Sequence, residues 1–377
     1  MLYIDENDIQ NKKVILRLDL NVPMKDGIIT DDSRIEKSLK TIKYLLERNC
    51  SIIILSHLGR IKVREDKKSN TLKPVADKLS ALLSRPVEFI DEPVGMQVLS
   101  KCKELKPKDI ILLENTRYCD YPEKLESNND LNLAKYWSSL GDIFVVDAFG
   151  SLHRNHASVA GISKYIPTYF GLLVKEEITN LQKVIEPERP FGVFMGGAKI
   201  EDKLIYIKDL LPKCDYLLIG GGIANSFLYA CGYDVGDSIC TSDQITLSEL
   251  KGLVNEYKGK IIMPIDFVID DNKILDLGQK SISKYLKYLN ECKTIFINGT
   301  CGKFEDIKYS VGTVEMFKGI KSIDAYKVAG GGDTLNAINE FNLKDSFNFL
   351  SSGGGASIEY ISKGKLSAIE FINDNKK

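Results

Sequence analysis

A short segment near the middle of the chain places two lysines beside a glycine pair, a combination suited to holding an anion. The pair Gly196-Gly197 follows an apolar run, and Lys199 and Lys203 come next. Glycines let a ligand approach the backbone, and a helix N-terminus directs N–H groups toward negative charge. If a helix begins near Ile200, both ammonium groups lie on one side of its first turn. The segment predicts phosphate binding, although such a segment in isolation is more often a solvated helix start.

Three further glycine-rich segments, 220–222, 330–332 and 353–355, each follow a strand-like run and lead into a helix-like one. A tight turn is the ordinary interpretation of any one of them. Together with Gly196-Gly197 they predict a cradle of backbone amides and helix ends for a polyphosphate. Asp333 follows one of these segments, and it suits Mg²⁺, which takes one or two carboxylates when it binds beside phosphates.

The first half of the chain carries arginines in segments near the ends of strand-like runs. A planar guanidinium suits carboxylate and phosphate, although a single arginine is more often part of a surface ion pair. Ligands of parallel sheets bind beyond the carboxyl ends of the strands, so four arginines there predict an anion site. They are Arg34, Arg60, Arg117 and Arg154.

All three histidines of the chain, His57, His153 and His156, fall in these same segments. A metal site would require a characteristic ligand spacing and carboxylate partners, and the sequence shows neither. We therefore interpret these histidines as hydrogen-bond donors to phosphate or as supporting residues.

The composition is that of a globular protein of two domains, with 377 residues, 44% of them apolar and 27% charged. The 51 basic and 52 acidic side chains nearly cancel, which argues against a nucleic-acid partner and favours a small molecule. We expect a cytoplasmic protein without a membrane segment, because the sequence has no long apolar run and begins with acidic rather than basic residues. Its eight cysteines form no Cys-x-x-Cys pair and are expected to be free thiols.

The elements that must position these residues alternate between β-rich apolar runs and amphipathic stretches, which predicts an α/β fold of two doubly wound domains. Residues 172–185 predict a long helix that connects them, and residues 373–377 are expected to be disordered. The predicted strands are 13–20, 51–56, 109–113, 142–146, 191–195, 216–219, 260–263, 294–297, 326–329 and 347–350. The sequence contains neither a P-loop nor a Gly-x-Gly-x-x-Gly segment at its first strand, which weighs against P-loop ATPases and dinucleotide dehydrogenases.

From end to end the sequence resembles the phosphoglycerate kinase family. In the first half the motifs are Arg17-x-Asp19-x-Asn21-Val22-Pro23, Ser56-His57-Leu58-Gly59-Arg60, Leu113-Glu114-Asn115-x-Arg117 and the segment from Asp147 to Ser158. In the second half they are Gly196-Gly197-Ala198-Lys199-x-x-Asp202-Lys203, Asn298-Gly299-x-x-Gly302-x-Phe304-Glu305, Gly330-Gly331-Gly332-Asp333-Thr334 and Gly353-Gly354-Gly355-Ala356-Ser357.

The resemblance implies a fold of two Rossmann-like domains, each a parallel sheet flanked by helices, joined by a long hinge helix. The implied regions are an N-terminal phosphoglycerate-binding domain (1–168), the hinge helix (169–186), a C-terminal nucleotide-binding domain (187–365) and a tail (366–377) that packs back toward the N-terminal domain. It implies that the family's two lobes close over their substrates.

The resemblance also implies roles for individual residues. Catalysis would involve Arg34, Lys199, Gly353 and Gly354. Phosphoglycerate would be held by Asp19, Leu20, Asn21, Arg34, His57, Leu58, Gly59, Arg60, Arg117 and Arg154. The nucleotide would be held by Lys203, Gly221, Gly278, Asn298, Glu305, Gly331, Gly332, Asp333 and Thr334, with Asp333 toward Mg²⁺.

Several positions depart from the family pattern. Thr300 and Lys303 replace residues expected at the base and ribose pocket, and could alter nucleotide affinity or base preference. Ile61, Val146 and Phe349 stand where the family has proline, asparagine and histidine. None of these changes removes a phosphate ligand.

The leading hypothesis is a monomeric glycolytic kinase that transfers a phosphoryl group reversibly between ATP and the carboxylate of 3-phosphoglycerate, giving ADP and 1,3-bisphosphoglycerate. Two alternatives stay open at this point. One is a paralogous kinase acting on another phosphorylated carboxylate or using another nucleotide. The other is a non-catalytic nucleotide-binding protein of the same fold.

Overall fold

The computed structural model describes residues 1–375, and it divides the chain into two compact units. We call them the N-terminal unit, which comprises Met1–Ile178 and the chain from Lys365 onward, and the C-terminal unit, Thr179–Gly364. No helix of the described residues is long and apolar enough to cross a membrane.

The N-terminal unit is built on a six-stranded parallel sheet whose strands read as runs of Ile, Leu and Val. Such runs are typical of strands covered on both faces, and here the central strands are almost fully buried. The sheet order is β5-β6-β4-β1-β7-β8, and β2 and β3 form a separate hairpin. The strands are β1 Lys13–Leu18, β2 Met24–Lys25, β3 Ile28–Ile29, β4 Ser51–Leu55, β5 Glu88–Ile90, β6 Ile110–Leu113, β7 Ile143–Asp147 and β8 Thr168–Phe170.

Amphipathic helices connect these strands. The first one buries Ile35, Ile42 and Leu45 in the same apolar cluster as Val14 and Leu16 of β1. These helices are α1 Ser33–Glu47, α2 Asp66–Ser69, α3 Lys73–Leu83, α4 Met96–Glu104 and α5 Leu131–Ser138. After β8 comes α6 Leu172–Ile185, whose residues from Thr179 onward belong to the C-terminal unit. The predicted helix over 172–185 is present as α6.

The C-terminal unit repeats the design with a second six-stranded parallel sheet, in the order β11-β10-β9-β14-β15-β16, and β12 and β13 form a hairpin. The strands are β9 Phe191–Met195, β10 Tyr216–Ile219, β11 Ile261–Ile262, β12 Phe267–Asp270, β13 Lys273–Leu277, β14 Thr294–Asn298, β15 Tyr326–Gly330 and β16 Phe349–Ser351. Its helices are α7 Leu204–Leu210, α8 Gly221–Ala230, α9 Gln244–Glu256, α10 Gln279–Leu289, α11 Val311–Gly319, α12 Gly332–Glu340 and α13 Gly355–Lys363, and α14 Ser367–Asp374 belongs to the N-terminal unit.

These elements confirm the predicted α/β fold class and correct three details. The sequence analysis missed β5 and β8, which have only three residues each and lie at the edges of their sheet, and it also missed the two hairpins, β2–β3 and β12–β13. The tail predicted to be disordered is helical as far as Asp374, because Ile369 and Ile372 bury an apolar face; Lys376 and Lys377 of that tail lie outside the described residues. The helix expected from Ile200 begins only at Leu204.

Candidate active site

The N-terminal unit places its candidate residues where the strand order reverses. β1 pairs with β4 on one side and with β7 on the other. In a parallel sheet this reversal leaves a crevice beyond the carboxyl ends of the strands, where ligands bind. The segments after β1, β4, β6 and β7 carry the predicted ligands of phosphoglycerate, and Arg34 lies in the first turn of α1.

Short polar contacts fix the segment after β1 against the segment after β4. The Asp19 carboxylate accepts a hydrogen bond from the Arg34 guanidinium. The backbone N–H of Leu20 donates to the Ser56 hydroxyl at 2.9 Å, and that of Gly59 donates to the Asn21 side-chain oxygen at 2.9 Å. Asp19, Asn21 and Arg34 are therefore held in place before any ligand arrives.

A second set of contacts joins the loop after β4 to the loop after β6. The Asn115 side chain donates to the Leu58 carbonyl oxygen at 2.6 Å, and the Arg117 guanidinium donates to the carbonyl oxygen of Gly59. Buried Glu114 accepts from the backbone N–H of Leu72 at 2.9 Å, which ties this loop to the start of α3. The motif residues Glu114 and Asn115 thus act as scaffold for the arginines.

The cationic side chains of this unit act on one another. Burial lowers the pKa of the Arg117 guanidinium, and the charges of Arg154 and Arg60 lower it further, against the opposing influence of Asp120 and Glu126. Arg60 and Arg154 are exposed, whereas Arg117 is buried. Like charges gathered in this way are suited to an anionic ligand that neutralises them. The structure brings Arg60, Arg117 and Arg154 together, while Arg34 is paired with Asp19.

His57 and His156 lie beside these arginines as neutral rings. Burial, followed by the charges of Arg17 and Arg117, holds the pKa of His57 well below its usual value. The same causes lower the pKa of His156 to about 3. Both histidines can therefore serve as hydrogen-bonding groups without adding charge at neutral pH.

In the C-terminal unit the strand order reverses at β9, which pairs with β10 and β14. The backbones of the glycine segments after these strands touch. A Cβ on Gly196 would lie 2.1 Å from the Thr300 carbonyl oxygen, and one on Gly299 would lie 2.2 Å from that of Gly196. Gly299 also has a φ of +107°, which side chains rarely adopt. Only glycine fits where these two loops cross.

Lys203 lies at the centre of this crossing, directly before α7. Its ammonium group donates to the Gly196 carbonyl oxygen at 2.6 Å and approaches that of Asn298 at 3.4 Å. Desolvation lowers the pKa of Lys203 to about 8, although Asp333 and Asp202 oppose the shift. A nearby phosphate would restore the charged form of this lysine.

Two cavities adjoin these glycines. One, of about 300 Å³, is lined by Lys203, Asn298, Gly354 and the segment 331–334. The other, of about 670 Å³, is lined by apolar residues together with Gly221, Asn225, Thr300, Lys303 and Glu305. Asp333 lines both. A small polar cavity beside a larger apolar one matches the phosphates and the base of a nucleotide.

Asp333 stands in the first turn of α12, where its carboxylate is exposed. Within residues 1–375, no group of three His, Cys, Asp or Glu side chains could hold a metal ion alone. A single carboxylate beside a phosphate-sized cavity nevertheless fits Mg²⁺, which commonly takes most of its ligands from water and substrate phosphates.

The other predicted residues lie around these cavities at different distances. Lys199 is exposed in the turn before α7. The backbone N–H of Gly353 points to the Ser351 hydroxyl at 3.3 Å, while Gly354 adopts a φ of +56° beside the smaller cavity. Gly278 does not line the larger cavity; it precedes α10 and packs against Asp266.

Sequence reasoning missed two kinds of residue. Asn225 and the segment 274–277 line the larger cavity, but neither belongs to a glycine segment. Asn225 lies four residues after Gly221 on α8, so it faces the same side of that helix, and this spacing was an available signal. Arg17 and Glu126 are fully buried beneath the arginines, and no local pattern indicates their proximity.

Comparisons with known proteins agree with this arrangement. The family model described as phosphoglycerate kinase matches residues 4–365. Phosphoglycerate kinases of Enterococcus faecalis and Macrococcus caseolyticus are 41% and 42% identical to the chain, and each alignment covers 98% of both sequences. The structure of phosphoglycerate kinase from Coxiella burnetii superposes over 100% of both chains with a TM-score of 0.86 at 34% identity. None of these relatives supports the paralogous or the non-catalytic alternative.

Proposed function

Because the chain belongs to the phosphoglycerate kinase family and transfers a phosphoryl group between ATP and the carboxylate of 3-phosphoglycerate, we propose that its N-terminal unit binds phosphoglycerate and its C-terminal unit binds the nucleotide. The observation that carries this assignment is the set of mutually repelling cations in the N-terminal unit, where Arg117 experiences the charges of Arg60 and Arg154. Phosphoglycerate carries a phosphate and a carboxylate, which these side chains can neutralise.

We assign phosphoglycerate to the polar groups that surround those arginines. Asp19 and Asn21 follow β1, and the segment 57–60 follows β4. Arg34, Arg117 and Arg154 supply planar forks for the phosphate and the carboxylate, while Leu20, Leu58 and Gly59 supply backbone. The acceptor carboxylate is already ionised at neutral pH, so the reaction requires no general base.

We assign the nucleotide to the two cavities of the C-terminal unit. The phosphates would lie against Lys203, Asn298 and the segment 331–334, and the base and ribose would fill the larger cavity beside Gly221 and Glu305. Asp333 would hold Mg²⁺ together with the phosphates, and the metal would supply charge neutralisation there. Gly278 supports this region from outside the larger cavity.

We assign the transferring phosphoryl group to Lys199 and to the backbone amides of Gly353 and Gly354, with Arg34 acting from the phosphoglycerate side. Charge stabilisation and positioning must supply the catalysis, because phosphoryl transfer offers the protein little covalent chemistry. We further propose that the protein acts as a cytoplasmic monomer without a nucleic-acid partner, and the near balance of 51 basic and 52 acidic residues supports the last point.

The test is ATP-dependent phosphorylation of 3-phosphoglycerate, coupled through glyceraldehyde-3-phosphate dehydrogenase to NADH oxidation. Lys199→Ala is expected to lower kcat about a hundredfold or more, because it removes a cation from the transferring group. The matched control is Lys258→Ala, which removes an exposed lysine from the turn that follows α9 and should keep full activity. GTP run beside ATP measures the base preference of the nucleotide site, which Thr300 and Lys303 line. Full turnover of Lys199→Ala would contradict the assignment of that lysine.

A further inference from the structure

Arg17 and His57 make a buried contact that the assignments above leave unexplained. Arg17 lies in β1 and is fully buried. His57 lies two residues after the end of β4, the strand that pairs with β1. Nη2 of Arg17 is 2.9 Å from Nδ1 of His57. A guanidinium has only N–H donors, so Nδ1 must be the acceptor. A neutral His57 ring then carries its proton on Nε2.

The surroundings of His57 also favour the neutral ring. Positive groups act on it from three different segments, Arg17 in β1, Arg34 in α1 and Arg117 after β6, and the ring of His156 after β7, itself neutral, would oppose a charge on His57 if it were protonated. Protonation of Nδ1 would displace the Arg17 donor and place another positive charge among them. The imidazole is therefore held in one protonation state and one tautomer.

The remaining contacts of Arg17 indicate that this donation is its specific role. In the described part of the chain, Nη2 to His57 is the only hydrogen bond of the guanidinium, and its Nε and Nη1 atoms are buried without a partner. Two carboxylates act on Arg17, Asp19 and, with the larger influence, Glu126, which is fully buried and accepts from the backbone N–H of Ser158 at 2.9 Å. Its charge opposes the lowering of the Arg17 pKa that burial causes. Glu126, together with Asp19, thus favours the charged form of Arg17 without engaging its N–H groups.

We propose that Arg17 is a positioning residue that fixes His57 as the neutral Nε2–H tautomer, so that His57 offers phosphoglycerate a single, uncharged N–H donor. This inference rests on the proposed role of His57 in binding phosphoglycerate. Since the ring does not change charge near its ordinary pKa, its hydrogen bond to the ligand stays the same across the physiological pH range.

The direct test is ¹⁵N nuclear magnetic resonance of the imidazole rings of the full-length protein. The chain has three histidines, so His57→Gln assigns the signal of His57 by subtraction. We expect Nε2 of His57 to be protonated and Nδ1 unprotonated from about pH 5.5 to about pH 8, with no titration near the usual histidine pKa of about 6.5. A His57 ring that is charged at about pH 6, or that carries its proton on Nδ1, would overturn the proposal.

Variants of Arg17 connect the tautomer to binding. Arg17→Met removes the donor at similar length, and we expect His57 to titrate closer to its usual pKa and KM for phosphoglycerate to rise about tenfold, with a smaller change in kcat. Arg17→Lys retains a charged donor and should restore both properties in part. Arg85→Met, in the same unit but between α3 and β5, should change neither.

The outcomes separate this inference from the role of His57 itself. A spectrum of His57 unaffected by Arg17→Met overturns the inference about Arg17 alone. An unchanged KM in His57→Gln overturns the proposed ligand role of His57 and with it the purpose assigned to Arg17. If Arg17→Met does not fold, the spectrum of the unmodified protein still decides the protonation state.

Discussion

The candidate site of the N-terminal unit is built mainly from arginine side chains. That of the C-terminal unit is built mainly from the backbone of close-packed glycines and from one half-buried lysine, Lys203. Arg60 and Arg154 reach outward on flexible stems, and only Arg117 of that group is buried. Around Lys203, by contrast, Gly196 and Gly299 bring two backbone segments into direct contact. Both arrangements are suited to anions, but they depend on different properties of the residues.

This difference sets what each unit tolerates. A guanidinium at the end of a long side chain can adjust by an ångström, so the N-terminal unit should be sensitive to charge and less sensitive to shape. Backbone atoms cannot move independently of the strands that carry them, so the C-terminal unit should be sensitive to the volume of a single methyl group. The predictions below test this contrast.

The largest effect is expected from Gly299→Ala. Its Cβ would overlap the Gly196 carbonyl oxygen, and alanine is strained at a φ of +107°. We expect the free energy of unfolding of the C-terminal unit to fall by about 3 kcal/mol and ADP binding to be lost. Thermal unfolding and calorimetric titration with ADP measure both quantities.

Two other glycines serve as comparisons for this variant. Gly252→Ala lies inside α9 with no atom within 4 Å of the new Cβ, and should be neutral or slightly stabilising. Gly59→Ala, in the N-terminal unit, meets the side chain of Asn70 rather than backbone, and should cost about 1 kcal/mol through its φ of +60° and the shift of that side chain. If Gly59→Ala proved as damaging as Gly299→Ala, the contrast between the units would fail.

An intermediate effect is expected from Arg154→Met. This exposed side chain adds to the positive charge on Arg117, so its removal should relieve repulsion and leave the melting temperature of the free protein unchanged or slightly higher. KM for phosphoglycerate should rise about tenfold or more, because a charge-assisted contact is lost. ADP affinity should not change. Arg85→Met is the control, and a variant with weakened ADP binding would show that Arg154 does more than hold phosphoglycerate.

The parts of this contrast that the sequence predicted are those encoded locally. Runs such as Ile52-Ile53-Ile54 predicted buried strands. The arginines that come after these runs in the sequence could then be placed at the carboxyl edge of the sheet. The helix expected from Ile200 was wrong because of a distant contact: the Gly197 carbonyl oxygen accepts from the backbone N–H of Ile223 in α8 at 3.2 Å. Residues 198–203 form turns against that helix instead. No periodicity in the segment itself records this contact.

Arg17 illustrates the same limit for the site. It was visible as part of a motif, but its position within a strand gave no indication of a partner. Its contact with His57 depends on the pairing of β1 with β4, in which Arg17 lies opposite Leu55, two residues before His57. Asn225 differs, because its spacing of four residues from Gly221 was a local signal that the sequence analysis did not use. Long-range pairing, rather than local pattern, determined the position of Arg17 beside His57.

Raising the salt concentration should weaken ligand binding to the two units to different extents, and this difference should be smaller than the effects predicted above. Exposed charges are screened over about 10 Å at 0.1 M ionic strength, whereas a half-buried lysine and backbone N–H groups are screened less. Raising the ionic strength from about 0.05 M to about 0.5 M should weaken phosphoglycerate binding several-fold more than binding of metal-free ADP. Calorimetric titrations at matched pH measure both affinities. Equal losses would indicate that exposed cations such as Lys199 dominate nucleotide binding as well.

The smallest expected effect is a fraction of a proton taken up when the nucleotide binds. The pKa of Lys203 is lowered to about 8 in the free protein, so half of the lysine population is neutral near that pH and most of it is neutral above it. A bound phosphate favours the charged ammonium and raises this pKa toward its usual value of about 10.4. Between about pH 8 and about pH 10, ADP binding should therefore take up protons, and affinity should decline as the pH rises.

Titrations in buffers of different ionisation enthalpy count these protons. Lys203→Arg is the matched variant, because its guanidinium keeps the charge but does not titrate below about pH 12. It should abolish the proton uptake while retaining part of the affinity. ADP phosphates are fully ionised in this range and contribute nothing to the count. Uptake that persists in Lys203→Arg would mean that a group other than Lys203 takes up the proton.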